Sequence, residues 1–244
     1  ARPCDSGSIV TLSRLHRPTP DEPPSRLADP MLRRYLAIGL ACWAAGAVVI
    51  LLAATGITDG LDRRTLILAE TDGGDRPWLT DIMRVATFLG DWPARLGIAG
   101  LFVLMLLARR FARAASYILY TTLAAWALNA WVLKPLLDRE RPPGAAALPS
   151  VGDPFSLPSG HASNAAALAM AIAIVASVIW WRRHQRRAIW VTALAFAALV
   201  GVSRVWLGAH WATDVLAGWL EGVGVALLMA VWLRPVRSRA ATGR

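Results

Sequence analysis

Residues Tyr35 to Thr55 read YLAIGLACWAAGAVVILLAAT, a run of apolar and small side chains with no charge and no period-2 alternation. A run of roughly 20 such residues matches the hydrocarbon thickness of a bilayer when coiled as a helix. A helix is the open-chain element that satisfies its own backbone hydrogen bonds in lipid. Working outward from this stretch, comparable runs occupy Pro93 to Ala108, Ala114 to Leu133, Ala162 to Trp181, Ala188 to Val205 and Trp211 to Leu233. The shortest of them, the second, is expected to extend back through Phe88 and Leu89. The sequence therefore predicts an all-α fold, a six-transmembrane-helix bundle.

The composition agrees. Hydrophobic residues make up 56% of the 244, with a mean hydropathy of +0.45, more apolar content than a soluble domain of this length has use for. Residues 1–30 contain Pro18, Pro20, Pro23, Pro24 and Pro30 and no apolar core. They are expected to form a disordered cytoplasmic tail rather than a secretory signal. Residues 31–236 form the membrane domain in this reading, and 237–244 a cytoplasmic C-terminal tail. The two cysteines, Cys4 and Cys42, imply no disulfide framework.

The net charge of +10 would point to nucleic acid on a soluble fold. Here the basic residues gather in short connections instead. Arg33 and Arg34 precede the first run, Arg109, Arg110 and Arg113 separate the second from the third, and Arg182, Arg183, Arg186 and Arg187 the fourth from the fifth. Arg234, Arg237, Arg239 and Arg244 follow the sixth. With six alternating crossings all of these share one side, which the positive-inside rule assigns to the cytoplasm. Both termini are then cytoplasmic, in a bacterial inner (cell) membrane, and nucleic acid is not an expected partner. The opposite, extracytoplasmic side receives residues 56–92, 134–161 and 203–210. The first of these is acidic, with Leu61, Leu66 and Leu68 suggesting a helix on the membrane surface. Trp92, Trp180, Trp181, Trp206, Trp211 and Trp232 fall near the ends of the runs, as interfacial anchors do.

Polar residues unexplained by topology fall into three groups: Lys134, Arg139, Arg141 and Pro142; Pro158-Ser159-Gly160-His161; and Ser203, Arg204, His210 and Asp214. Two crossings separate His161 from Ser203, so all three groups return to the same outer face. Lys134, Arg141 and Arg204 supply cations, and guanidinium forks match phosphate oxygens two at a time. Ser159 and Gly160 open a helix, where free N–H groups and the macrodipole favour an anion. His210 and Asp214, four apart, share a helix face about 6 Å apart along the axis. A carboxylate there fixes the imidazole tautomer, which suits a nucleophilic histidine. His161, with no carboxylate near it in sequence, is left as the general acid. Taken singly, an arginine at a span end is as readily a headgroup anchor, and a Ser-Gly pair a helix cap. Such readings do not explain why three cations, two histidines and a carboxylate meet on one side.

At these residues the chain resembles the type 2 phosphatidic acid phosphatase family of membrane lipid phosphatases. Its first motif, Lys, six residues, Arg-Pro, matches Lys134 to Arg141-Pro142. The second, Pro-Ser-Gly-His, matches Pro158 to His161, and the third matches Ser203-Arg204, His210 and Asp214. The resemblance implies that His210 attacks phosphorus and carries a phosphohistidine. It implies that Asp214 orients His210 and that His161 protonates the leaving group. It also implies that Lys134, Arg141, Ser159, Gly160 and Arg204 bind the phosphoryl oxygens, and that no metal or other cofactor is needed. The expected partners are the bilayer and a membrane lipid substrate, a lipid phosphate or an isoprenyl diphosphate. A lipid phosphotransferase would carry the same motifs. Vanadium haloperoxidases share them too, but are soluble, and a non-enzymatic transporter would not need both histidines.

Glu221 belongs to none of these motifs. Seven residues beyond Asp214, it is expected on the same helix face, about 10 Å deeper. Asn129 and Asn164 are its candidate partners, and Gly218 and Gly222 are spaced to let another helix approach.

Overall fold

Ala, Leu, Val and Ile dominate the apolar runs, and each run folds as a helix in the computed structural model, which describes residues 29–143, 145, 154–179 and 182–233. The expected tails, 1–30 and 237–244, fall outside these residues except for Asp29 and Pro30, and Trp180 and Trp181 also lie outside. The helices are α1 (Asp29–Ala54), α2 (Asp59–Asp75), α3 (Pro77–Gly90), α4 (Trp92–Ala108), α5 (Ala112–Ala127), α6 (Lys134–Leu137), α7 (Gly160–Ile179), α8 (Arg183–Trp206) and α9 (Ala212–Met229). Among the described residues the only β pairing is an isolated bridge between Glu140 and Phe155.

Among the described residues four helices, α1, α7, α8 and α9, are long and apolar enough to cross a membrane, and α3 with α4 makes a fifth if the bent pair counts as one crossing. α7 lies at the centre, with 78% of its apolar window buried. Leu168, Ala171, Ile174 and Val175 on α7 meet Tyr117 and Ile118 on α5 and Leu106 on α4 in the main core. The perimeter inverts the soluble pattern: Leu40, Leu101, Leu104 and Val191 are 57% or more exposed among large apolar neighbours, as a lipid-facing surface requires. Gly218 and Gly222 seat α9 against α7. A Cβ on Gly218 would lie 2.6 Å from the Ser159 carbonyl oxygen, and one on Gly222 would strike that of Ser163.

Three local departures from the sequence expectation shape the site. The second run does not extend straight back through Phe88 and Leu89. α3 and α4 meet at 58°, because Asp91 takes an extended conformation and Pro93 restarts the helix within its first turn. The helix α2, expected from the sequence on the membrane surface, is not simply acidic on one face and apolar on the other. Leu61 and Leu68 are exposed, whereas Leu66 and Asp62 are buried. Finally, α5 widens into a π-helical segment over Leu128–Leu133 before α6. Pro135, in the first turn of α6, has no N–H to close an ordinary turn, and π segments concentrate at functional sites.

Candidate active site

The turn from α8 to α9 brings the third group together. Gly208 has a φ of +69°, a left-handed conformation that ends a helix at little cost only in glycine. The chain then doubles back, so that the N–H groups of Ala209 and His210 donate to the Arg204 carbonyl, at 2.9 and 3.2 Å. Trp211 caps α9, and its N–H donates to Asp214 Oδ2 at 2.9 Å. His210 is thereby presented just ahead of the helix, with Asp214 fixed behind it.

His210 is 2% exposed and Asp214 fully buried. Arg141 Nη1 donates to the Ala209 carbonyl at 2.9 Å and lies 3.0 Å from His210 Nε2. A guanidinium has only donors, so Nε2 carries the lone pair and the ring proton sits on Nδ1. Nδ1 faces Asp214 Oδ2 at 3.5 Å, an ion-pair distance rather than a formed hydrogen bond. Bonds of this kind often tighten only when the reacting group arrives. Burial holds the His210 imidazole well below its ordinary value of 6.5, and Arg141, Arg204, Lys134 and His161 push it the same way. The ring is thus neutral at neutral pH, with a lone pair on Nε2.

The other motif residues converge on the same place. Lys134, at the start of α6, is 7% exposed, and Arg204 on α8 is 1% exposed and donates to Thr87 Oγ1. Lys134, Arg141, Gly160, His161, Arg204 and His210 line one cavity of about 630 Å³. Gly160 belongs there for want of a side chain: a Cβ would lie 3.0 Å from Asn129 Oδ1. Two of the residues singled out in the sequence stand behind the wall rather than on it. Asp214 backs His210, and Ser159 is fully buried at the start of α7, where its N–H donates to the Asp214 carbonyl at 2.9 Å. That bond ties the second motif directly to the third.

The structure adds residues that the motifs do not contain. Asp91, at the break between α3 and α4, places Oδ1 2.6 Å from His161 Nε2. Arg95 on α4 lines the same cavity, is 5% exposed, and donates to the Gly90 carbonyl at 3.0 Å. An arginine inside an apolar run was the available signal for Arg95, because ionisable groups at membrane depth usually serve a function. Asp91 carried no such signal, since its partner lies 70 residues away. Glu221 Oε2 accepts from Asn129 Nδ2 at 2.8 Å, while Asn164 donates to the Gly160 carbonyl instead. Among the described residues no three His, Cys, Asp or Glu side chains cluster in a way that would hold a metal ion.

A model of the PAP2 superfamily matches residues 113–238, just over half of the chain and all three motif groups. The chain belongs to the PAP2 superfamily. Phosphatidylglycerophosphatase B of Bacillus subtilis (strain 168) is 33% identical over 152 residues, 61% of this chain and 72% of that protein. Undecaprenyl-diphosphatase of Sulfolobus acidocaldarius is 36% identical over 74 residues, 30% of this chain and 32% of its own length. The crystal structure of a transmembrane PAP2-type phosphatidylglycerolphosphate phosphatase from Bacillus subtilis superposes with a TM-score of 0.67 at 26% identity, covering 78% of this chain and 93% of that one. This PAP2 protein is therefore an integral membrane protein with lipid phosphatases among its relatives.

Proposed function

We propose that this chain is a metal-independent lipid phosphatase that works through a phosphohistidine on His210. One observation carries the reading: His210 Nε2, now facing Arg141 Nη1 at 3.0 Å, lies in the wall of a cavity that Lys134, Arg204, Trp92, Leu96, Leu123 and Trp126 also line, and a phosphate that draws Arg141 to its oxygens frees that nitrogen. A phosphate with a long apolar tail fits such a cavity. Trp92, Leu96, Leu123 and Trp126 are each more than 40% exposed on α4 and α5, so the tail can stay in lipid while the phosphate meets the cations.

In the first step Nε2 attacks phosphorus and the P–O bond to the leaving group breaks. His161 gives its proton to the departing oxygen, and Asp214 stabilises the imidazole as it becomes cationic. In the second step His161, now neutral, takes a proton from water as the water oxygen attacks phosphorus, the N–P bond breaks, and inorganic phosphate leaves. Lys134, Arg141, Arg204 and the N–H groups at the start of α7 offset the charge on the phosphoryl oxygens in both steps.

Six crossings are the natural completion of the topology, with α4 and the α5–α6 unit added to the four long helices. Arg109, Arg110 and Arg113 on one side then mark the cytoplasm, and the site lies at the extracytoplasmic end. The relatives' substrates, a phosphatidylglycerophosphate and an isoprenyl diphosphate by name, share the phosphate-on-tail chemistry, and a lipid phosphate or diphosphate is the proposed substrate class here.

Phosphate release from lipid phosphates dispersed in detergent with EDTA tests this reading. Undiminished release is expected, with label trapped on His210 by an alkaline quench, in which the N–P bond survives. Loss of activity in EDTA restored by Mg²⁺, or label on a serine or aspartate, would overturn it. Label recovered on a second lipid rather than as free phosphate would make the enzyme a transferase.

A further inference from the structure

The buried acid on the surface helix is the feature that the reaction above leaves unused. Asp62 is 1% exposed on α2, 151 residues from its partners on α9. Its Oδ1 accepts the Thr213 N–H at 3.0 Å, and its Oδ2 accepts the Thr213 hydroxyl at 2.6 Å. The Thr213 N–H is one of the free donors in the first turn of α9, so α2 supplies a second cap to the helix that carries Asp214. Oδ2 also takes Arg139 Nη2 at 2.7 Å. The same guanidinium donates from Nη1 to Asp214 Oδ1 at 2.7 Å and to Thr213 Oγ1 at 2.8 Å. Trp211 covers it, with the guanidinium carbon 5.7 Å from the ring centroid.

One arginine is thus shared between two carboxylates, and the group carries a net charge of −1. Without Asp62, Arg139 would neutralise Asp214 alone. The remaining charged groups around His210 oppose its cationic form: Lys134 on α6, Arg141 after it, His161 on α7 and Arg204 on α8. Asp91 stands against His161, and Arg95 on α4 lines the same cavity. Among the described residues Asp214 is the anion facing the His210 ring, and the charge it can show that ring depends on what Arg139 leaves uncompensated.

We propose that Asp62, acting through Arg139, is a positioning residue that keeps Asp214 fixed and its charge toward His210 only partly offset. The proposal rests on the reading of His210 as nucleophile. Arg139 supports it: burial alone would lower its pKa, and Asp214 and Asp62 together outweigh burial and hold it above the ordinary arginine value. The surface helix is then part of the catalytic apparatus, although it contributes no motif residue.

The test is the pH dependence of kcat/KM in the full chain, whose acid limb reports protonation of His210 in the free enzyme. Asp62→Asn brings the group to neutrality, so the imidazole becomes harder to protonate and the acid limb moves to lower pH. Arg139→Gln removes the shared cation and moves the limb to higher pH. Each shift should be on the order of half a unit to one unit, as for a unit charge one or two side chains away in a partly polar interior. In Asp62→Asn kcat should also fall roughly 10–100-fold with KM nearly unchanged, the range for groups that orient a reacting side chain from behind.

Leu66→Ala loosens the docking of α2 without changing charge and should move neither limb. Should Arg139→Gln fail to fold, Arg139→Lys should restore the wild-type limb while lowering kcat. Limbs that move in the same direction in Asp62→Asn and Arg139→Gln, or do not move, would reduce Asp62 to a docking contact. Full activity in His210→Ala would instead remove the nucleophile assignment itself, so the two failures are distinguishable.

Discussion

The site contains two histidine–carboxylate pairs built in opposite ways. His210 and Asp214 are four residues apart at one helix start, and both are almost completely buried, with side-chain exposures of 2% and 0%. His161 stands on α7 and Asp91 at the break between α3 and α4, and their side chains are 17% and 28% exposed on the cavity wall. The first pair is set by a single helical turn and a capping box, and its proton location is fixed by Arg141 on the far nitrogen. The second pair exists only because the chain breaks between α3 and α4. A dry, locally determined pair suits a nucleophile that must keep one tautomer. A wetter pair assembled across helices suits a group that must give up a proton and recover it in each cycle.

Removing each histidine should separate the two roles most sharply. His210→Ala is expected to lower turnover on a lipid phosphate by about 10⁴-fold or more, the scale for deleting a nucleophile. His161→Ala should cost about 10²–10⁴-fold, the scale for a general acid. The leaving group sharpens the contrast. An aryl phosphate, whose departing oxygen needs no proton, should recover most of the loss in the rate of the first step, read as the burst of released aryl alcohol, in His161→Ala and none of it in His210→Ala. Equal recovery in both variants would erase the difference in role.

Asp91→Asn tests whether the second pair works as a pair. Nε2 of His161 lies 2.6 Å from Asp91 Oδ1, so the carboxylate holds the ring in one orientation. Turnover on an alkyl phosphate should fall roughly tenfold, with little change on an aryl phosphate. Faster turnover in Asp91→Asn would mean that Asp91 obstructs the proton rather than holding it.

What could be read in the sequence follows the same division. Hydrophobic runs and three spaced motifs sufficed to anticipate the helices and the convergence of Lys134, Arg141, His161, Arg204, His210 and Asp214, because each motif is held by one turn or one helix end. Asp91 and Asp62 were out of reach, since each acts on a partner 70 or 151 residues away. Asp62 looked like one of several acids on an exposed surface helix. Only the packing of α2 onto the start of α9 turns it inward. The break at Asp91 was hidden by the apolar character of Phe88 and Leu89, which read as the continuation of a span.

The smallest expected effect concerns the floor shared by both pairs. Glu221 Oε2 accepts from Asn129, and the Asn129 carbonyl oxygen lies against Gly160, whose helix begins the His161 motif. Glu221 is thus linked through Asn129 to the start of α7. Glu221→Gln keeps the shape, and its amide can turn to offer the oxygen to Asn129, so kcat and KM should each change by less than about threefold. Glu221→Leu leaves the buried Asn129 amide without that acceptor, at a cost of about 1–3 kcal/mol. Melting should then drop by several degrees, at about 2–4 °C per kcal/mol for a chain of this size. If the floor matters to the site, KM for lipid phosphates should rise in Glu221→Leu while the leaving-group dependence that marks His161 stays as in the wild type. A Glu221→Leu variant that melts lower but binds every lipid normally would confine Glu221 to helix packing beside Gly218 and Gly222.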